Sequence, residues 1–154
     1  MKSTVKAIMM GVVFAIFLIS QGCKKDPGPG ETIEDIQLGK LSKTWSFSSV
    51  QLDGVDQPGY DNFSLTISGT AGNTSFGYSV SGSPTPNPWP ASGTWSFGAT
   101  PETQIVRDPD TADQLDLTYS VSATQLQIDF NFSGSGYPGG KTNNVNGQWV
   151  FVLQ

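Results

Sequence analysis

The clearest structural signal is Leu115-Asp116-Leu117-Thr118-Tyr119-Ser120-Val121, which a short Ser122-Ala123-Thr124 segment separates from a second run, Leu126-Gln127-Ile128-Asp129-Phe130-Asn131-Phe132. Apolar and polar residues alternate in both runs. A period of two places one set of side chains on a buried face of a β-strand and the other set on a solvent face. The stretch therefore predicts an antiparallel hairpin with one buried face and one wet face.

The same alternation recurs through most of the chain after residue 43. We predict eight strands, at about 44–52, 61–68, 74–81, 92–97, 103–108, 114–121, 125–133 and 145–153. Short local connections favour an up-and-down order, and eight such strands can close on themselves without free edges. The predicted class is all-β, an eight-stranded antiparallel up-and-down β-barrel. A two-sheet β-sandwich is the alternative that strand count alone does not exclude.

Aromatic residues dominate the inward-facing positions of these strands. The set comprises Trp45, Phe47, Phe63, Phe76, Tyr78, Trp95, Phe97, Tyr119, Phe130, Phe132, Trp149 and Phe151. So many rings favour a filled interior over a cavity for a buried ligand. In the first strand, Trp45 and Phe47 are out of phase with Val50 and Leu52, which predicts a β-bulge near Ser48-Ser49.

The first residues read as a secretory leader. Lys2 and Lys6 precede an apolar run over residues 7–19, which is shorter than the roughly 20 residues of a spanning helix. The following Ser20-Gln21-Gly22-Cys23 resembles the bacterial lipoprotein signal, in which a small residue precedes an acylated cysteine. We predict a signal peptide over 1–22 and a lipidated Cys23. A plain secreted protein with an incidental cysteine is the alternative.

A tether and a short helical segment are expected between the anchor and the barrel. Pro27-Gly28-Pro29-Gly30 excludes a regular element. Thr32, with Asp35 three residues later, is typical of a capping box, so one or two helical turns are predicted, although an irregular segment remains possible. The predicted organisation is residues 23–43 for the lipidated cysteine, tether and helical turns, and 44–154 for the barrel domain.

Composition excludes several function classes. The chain has no histidine and one cysteine, so Cys/His zinc sites, Ser-His-Asp triads and disulfides within the chain are excluded. Removing the leader leaves 6 basic against 13 acidic residues, a balance opposite to that of nucleic-acid-binding proteins. It also disfavours electrostatic docking on anionic lipid, which leaves the lipid chains as the membrane anchor. We expect a monomer without nucleic-acid partners.

Several motifs are similar to those of the lipocalin-like domains of Bacteroidota lipoproteins, a family without an assigned activity. They are Leu41-Ser42-Lys43-Thr44-Trp45, Val50-Gln51-Leu52-Asp53-Gly54, Gly93-Thr94-Trp95-Ser96-Phe97 and Gly147-Gln148-Trp149-Val150-Phe151. The resemblance covers most of the chain after the leader. It implies a lipocalin-like barrel on an outer-membrane lipoprotein, and it implies no particular ligand.

The connections divide into two sets in an up-and-down barrel. Residues 69–73, 98–102 and 122–124 form one end, which the chain also enters, and 53–60, 82–91, 109–113 and 134–144 form the long-loop end. Loops on a rigid scaffold often carry function, so we predict a ligand at the long-loop end. The candidate ligand-binding residues are Asp56, Tyr60, Asn87, Trp89 and Tyr137.

Two features of this end leave alternatives open. The proline-rich segment 84–90 should be stiff, and it either presents Trp89 as a platform for a sugar or folds Trp89 back as a plug. The aspartates of 108–113 suggest calcium, but they lack EF-hand spacing and suit turns equally. Arg107 is expected to pair with a neighbouring aspartate. We predict no metal, cofactor or catalytic residue, hence no enzyme.

The function expected from these features is that of an outer-membrane lipoprotein, on either the extracellular or the periplasmic face, that binds a ligand such as a glycan at the long-loop end. A carrier of a small apolar molecule is one alternative. A protein-interaction or inhibitor module is the other.

Overall fold

The computed structural model describes residues 30–137 and 145–154. Cys23, the leader and most of the tether lie outside the described residues, as do residues 138–144. Within these described residues, one helix precedes nine strands. The helix is α1 (Ile33–Leu41), and the strands are β1 (Thr44–Leu52), β2 (Val55–Asp56), β3 (Ser64–Ser68), β4 (Phe76–Ser81), β5 (Ser92–Phe97), β6 (Gln104–Arg107), β7 (Leu115–Val121), β8 (Leu126–Phe132) and β9 (Gly147–Leu153).

All nine strands belong to one antiparallel sheet. From β3 to β9 each strand pairs with the next in sequence, β1 pairs with β3, and β9 returns to pair with β1. The two-residue β2 only extends the end of β1. The structure is therefore an eight-stranded closed barrel with one extra strand, lipocalin-like in its order. The predicted barrel is confirmed, and the sandwich alternative is wrong.

Strand β1 bends so that it pairs with both β3 and β9. Its residues Thr44–Ser46 pair with β3, whereas Phe47–Leu52 pair with β9. The register with β9 shifts between Phe47 and Ser49, which confirms the predicted bulge. An extra residue at this point increases the local bend of the strand and lets one strand join both edges of the sheet.

The helix caps one end of the barrel. Thr32 Oγ1 accepts from the Asp35 amide at 3.1 Å, and Asp35 Oδ2 accepts from the Thr32 amide at 3.3 Å, so the predicted capping box is present. The helix spans nine residues, more than the expected one or two turns. Leu38 and Leu41 are buried in the same core as the barrel residues. The helix and the barrel therefore share one core, although the predicted domain boundary at residue 44 falls between them.

The two ends of the barrel differ as expected from loop length. The Gly72 amide donates to Asp35 Oδ1 at 3.1 Å, and Lys43 Nζ donates to the Ala123 carbonyl at 2.8 Å, so the helix lies against the short connections. The connections 53–63, 82–91 and 108–114 lie at the opposite, long-loop end, together with the described residues 133–137, 145 and 146 of the last connection. No helix in the described part of the chain is long and apolar enough to cross a membrane.

The barrel interior is filled with aromatic rings. All twelve rings predicted to face inward belong to the core, with Phe47 and Phe97 only partly buried. Phe151 is fully buried and lies at the centre, stacked on Phe130 and Trp149 with centroid separations of 5.8 and 5.7 Å. The remaining interior cavity measures about 10 Å³, the space of a single water molecule. The predicted filled interior is confirmed.

Replacing the central ring tests this packing. We expect Phe151→Ala to lower the free energy of unfolding by about 3–5 kcal/mol, because the surrounding rings cannot collapse fully into the space left behind. Val55 is 63 % exposed, so Val55→Ala is the control, with an effect within about 0.5 kcal/mol. Equilibrium denaturation in urea measures both. Similar small losses in the two variants would contradict a tightly packed centre.

Candidate functional site

The segment 82–91 folds across the mouth of the barrel at the long-loop end. Asn87 and Tyr137 form an isolated antiparallel bridge, with backbone hydrogen bonds of 3.1 and 2.8 Å. The Asn87 side chain donates to the Tyr137 carbonyl at 2.8 Å and accepts from the Trp89 amide at 2.8 Å. These bonds fasten the segment to the β8–β9 connection and turn Trp89 inward.

Trp89 is the plug of the barrel. It is 3 % exposed and makes edge-on contacts with Tyr78, Phe130 and Phe151 at 5.6 to 5.9 Å between ring centroids. The hypothesis of an exposed platform is therefore wrong for this ring, and the alternative of a plug is confirmed. Stiffness of the proline-rich segment fits both arrangements, so the sequence did not distinguish them.

Tyr60 is also a core residue. It is 2 % exposed and packs against Phe63, Trp149 and Phe151. Burial raises the pKa of its hydroxyl, which has no hydrogen-bond partner among the described residues. The ring therefore offers no face to an external ligand. Asp56 is exposed on β2, where its Oδ1 accepts from Gln51 Nε2 at 2.9 Å.

A buried arginine underlies the plug. Arg107 is 1 % exposed, and its Nη1 donates to the Pro88 carbonyl at 2.8 Å. The guanidinium carbon lies 5.3 Å from the centre of the Trp89 ring and 5.9 Å from that of the Tyr137 ring. Its Nε is 3.5 Å from Asp108 Oδ2, an ion pair without hydrogen-bond geometry. The expected pairing with a neighbouring aspartate is confirmed.

Asp108 joins this cation to the wall of the barrel. Its Oδ2 accepts from the Tyr78 hydroxyl at 2.7 Å, and its Oδ1 accepts from the Thr94 amide at 2.9 Å. Burial, together with the hydrogen bond to this carboxylate, raises the pKa of Tyr78 well above its ordinary value. A Cβ at Gly93 would overlap Asp108 Oδ1 and the Tyr78 hydroxyl, so only glycine fits there.

A polar pocket of about 240 Å³ lies beside the plug. Its lining residues come from the ends of β6, β7 and β8 and from the β6–β7 and β8–β9 connections. They are Arg107, Ala112, Asp113, Gln114, Leu115, Phe132, Ser133, Gly134, Ser135, Gly136 and Tyr137. The pocket thus combines two aromatic rings, a guanidinium, a carboxylate, an amide and three hydroxyls in one concave surface.

Tyr137 lines this pocket and contacts two of its other lining residues. Its hydroxyl donates to Asp113 Oδ1 at 2.7 Å, and its ring lies 6.2 Å from that of Phe132. Partial burial, and secondarily the hydrogen bond to Asp113, raise the pKa of Tyr137 to about 12. The residue therefore stays neutral at physiological pH, with its ring and its hydroxyl at the pocket.

Of the five candidate residues, only Tyr137 lines the pocket. Asn87 supports it by holding the Tyr137 backbone, whereas Trp89 and Tyr60 are buried and Asp56 lies elsewhere. Arg107 was missed as a lining residue, although it stands two positions from Ile105 and so shares its inward face. No cluster of three or more potential metal ligands occurs in residues 30–137 and 145–154.

Comparison with protein-family models, with curated proteins and with solved structures finds no significant match to this chain. Its class therefore rests on the fold and the site. The protein is a closed lipocalin-like β-barrel with a filled interior, a tryptophan plug and a polar pocket at the long-loop end.

Removing the buried cation tests the plug. We expect Arg107→Met to lower the free energy of unfolding by about 3–5 kcal/mol, because the Asp108 carboxylate would lose its charged partner while remaining buried. Lys40→Met removes the same charge from an exposed helical position and should change stability by less than about 0.5 kcal/mol. Urea denaturation distinguishes the two, and equal effects would argue against a buried ion pair that stabilises the plug.

Alkaline pH should unfold the protein. All four tyrosines have raised pKa values, chiefly through burial, so the folded state keeps protons that the unfolded state loses above its ordinary tyrosine pKa of about 10. Stability is thus full below pH ~10 and falls as the pH rises toward ~12. Tyrosinate absorbance should appear over the same pH range as the change in tryptophan fluorescence that reports unfolding. Tyr137→Phe should make the decline shallower, and tyrosinate forming before unfolding would contradict the assignment.

Proposed function

We propose that this protein is a binding module that holds a polyhydroxylated ligand, such as one sugar unit of a glycan, in the pocket at the long-loop end. The observation that carries the proposal is the pocket itself, where the half-buried Tyr137 ring lies beside the Asp113 carboxylate and the Gln114 amide. Ring faces suit the C–H faces of a sugar, and carboxylates and amides accept and donate hydrogen bonds to its hydroxyls.

The size of the pocket supports a small polar ligand. Its volume of about 240 Å³ is below the ~300–1,000 Å³ of sites for drug-sized molecules. The cavity inside the barrel measures about 10 Å³ and has no room for a lipophile. Transport of a buried apolar molecule is therefore not part of the proposal.

The position of the pocket suits a lipid-anchored protein of the outer membrane. In this proposal Cys23 carries the lipid, and the chain reaches the barrel at the helix end. The pocket lies at the opposite end and faces away from the membrane. Display on the cell surface would then give the pocket access to extracellular glycans.

Glycan-array binding tests the pocket. We expect Tyr137→Ala and Asp113→Ala to weaken binding at least tenfold, about 1.4 kcal/mol, because each removes a group that faces the ligand. Asp61→Ala is the matched control, since it deletes an exposed aspartate at the same end outside the pocket. Trp89→Ala is unsuitable, because it would open a cavity in the core. Unchanged glycan binding by both pocket variants would contradict the proposal.

Labelling of cells with a palmitate analogue tests the anchor. The wild-type protein should take up the label and sediment with the outer membrane, whereas Cys23→Ser should remain unlabelled and unanchored. Protease treatment of whole cells should then degrade the anchored protein if it is surface-exposed. A wild-type chain recovered without lipid would contradict this part of the proposal.

A further inference from the structure

A second concave surface lies on the outer wall of the barrel. A groove of about 410 Å³ crosses β6, β7, β8 and the start of β9, and it extends to the β5–β6 connection at Gly98 and Ala99. It shares no lining residue with the pocket at the long-loop end. Its volume falls within the ~300–1,000 Å³ of small-molecule sites.

The groove presents polar side chains in register across neighbouring strands. One row runs from Gln104 through its partner Thr118 to Asp129, and a second contains Asn131 beside Gln148. Asp116 follows on β7, and the half-buried Val106 opposite it adds an apolar surface. Outward side chains on neighbouring strands stand close together, so these groups can act on one ligand.

Most of these side chains have hydrogen-bonding capacity to spare. Asp129 Oδ2 accepts from Gln127 Nε2 at 2.9 Å, and Thr118 Oγ1 donates to the Asp129 carbonyl at 3.3 Å. Within the described ranges, the side chains lining the groove that make no hydrogen bond to the protein are those of Gln104, Asp116, Asn131 and Gln148. Together they offer three amides and one carboxylate.

The closed barrel limits how this wall can recognise a partner. Each of β6, β7 and β8 is paired on both sides, so no backbone edge is free for an added strand. Recognition on this surface must therefore use side chains. Amides that donate and accept, carboxylates that accept, and a small apolar surface match a ligand with many hydroxyls on a hydrocarbon frame.

Charge narrows the class of ligand. Asp116 and Asp129 are negative, and no cation lines the groove. Among the described residues the basic side chains are Lys40 and Lys43 at the helix end and Arg107, which is buried. An anionic chain such as a uronate would be repelled. A basic peptide would use the carboxylates and leave the amide donors without a role.

We propose that this wall groove is a second binding site, which takes an extended neutral oligosaccharide along β6–β9. It goes beyond the pocket of the proposed function, because it lies on a different surface and uses amides in place of aromatic rings. The groove crosses the strands from the β5–β6 connection to the start of β9, which suits a chain of several sugar units.

Amide-resolved NMR titration of the full mature chain tests this site. The probes are cello-, xylo-, malto- and manno-oligosaccharides, with oligogalacturonate and oligolysine as charged counterparts. We expect at least one neutral probe to shift residues of β6–β9 that surround the groove, and oligogalacturonate to shift none of them. The double variant Asn131→Ala/Gln148→Ala should weaken that binding at least tenfold without changing the thermal melting.

Two controls separate this site from other effects. Gln125→Ala removes an exposed amide from the β7–β8 turn outside the groove and should leave the shifts unchanged. Tyr137→Ala should weaken binding at the loop-end pocket at least tenfold while the groove still binds, so failure at one site is distinguishable from failure at the other. Absence of groove shifts with every neutral probe would overturn the proposal. So would shifts caused by oligolysine alone and lost in salt, which would indicate a basic peptide partner.

Discussion

The packing of rings around Phe151 is the contact on which the rest of the molecule depends. Phe151 stacks between Phe130 and Trp149, and rings from the connections at the long-loop end close over it. Burial of large aromatic surface supplies much of the stability of a domain that has no disulfide among its residues. The same packing removes the internal cavity, so any ligand must bind at the rim or on the outer wall.

The plug shows how a cation is accommodated in such an interior. Burying a guanidinium is costly unless charge and hydrogen bonds compensate it. Arg107 is compensated by the Asp108 carboxylate and the Pro88 carbonyl, while Tyr78 and the Thr94 amide hold Asp108 from the wall. The segment that carries Trp89 is therefore tied to both β5 and β6. Arg107, a member of this network, also lines the nearby pocket.

Periodicity explains which parts of this structure could be predicted from the sequence. The strands, the bulge beside Phe47 and the capping box of Thr32 follow from local patterns, and all are present. Trp89 and Tyr60 lie in connections, where no period shows which way a ring turns. The wall groove could not be predicted, because the sequence pattern of outward-facing polar residues is the same whether the surface they form is flat or concave.

The pairing of β1 with β9 has a consequence for how the molecule forms. Residues 47–52 meet residues 149–153, so the joint links nearly opposite ends of the folded chain. Loop closure over such a separation is slow, and folding rates fall as contacts become more distant in sequence. The ribosome must release residues 147–153 before the barrel can close. Until then the growing polypeptide carries two open strand edges, and a product truncated before residue 147 would keep them and be prone to self-association.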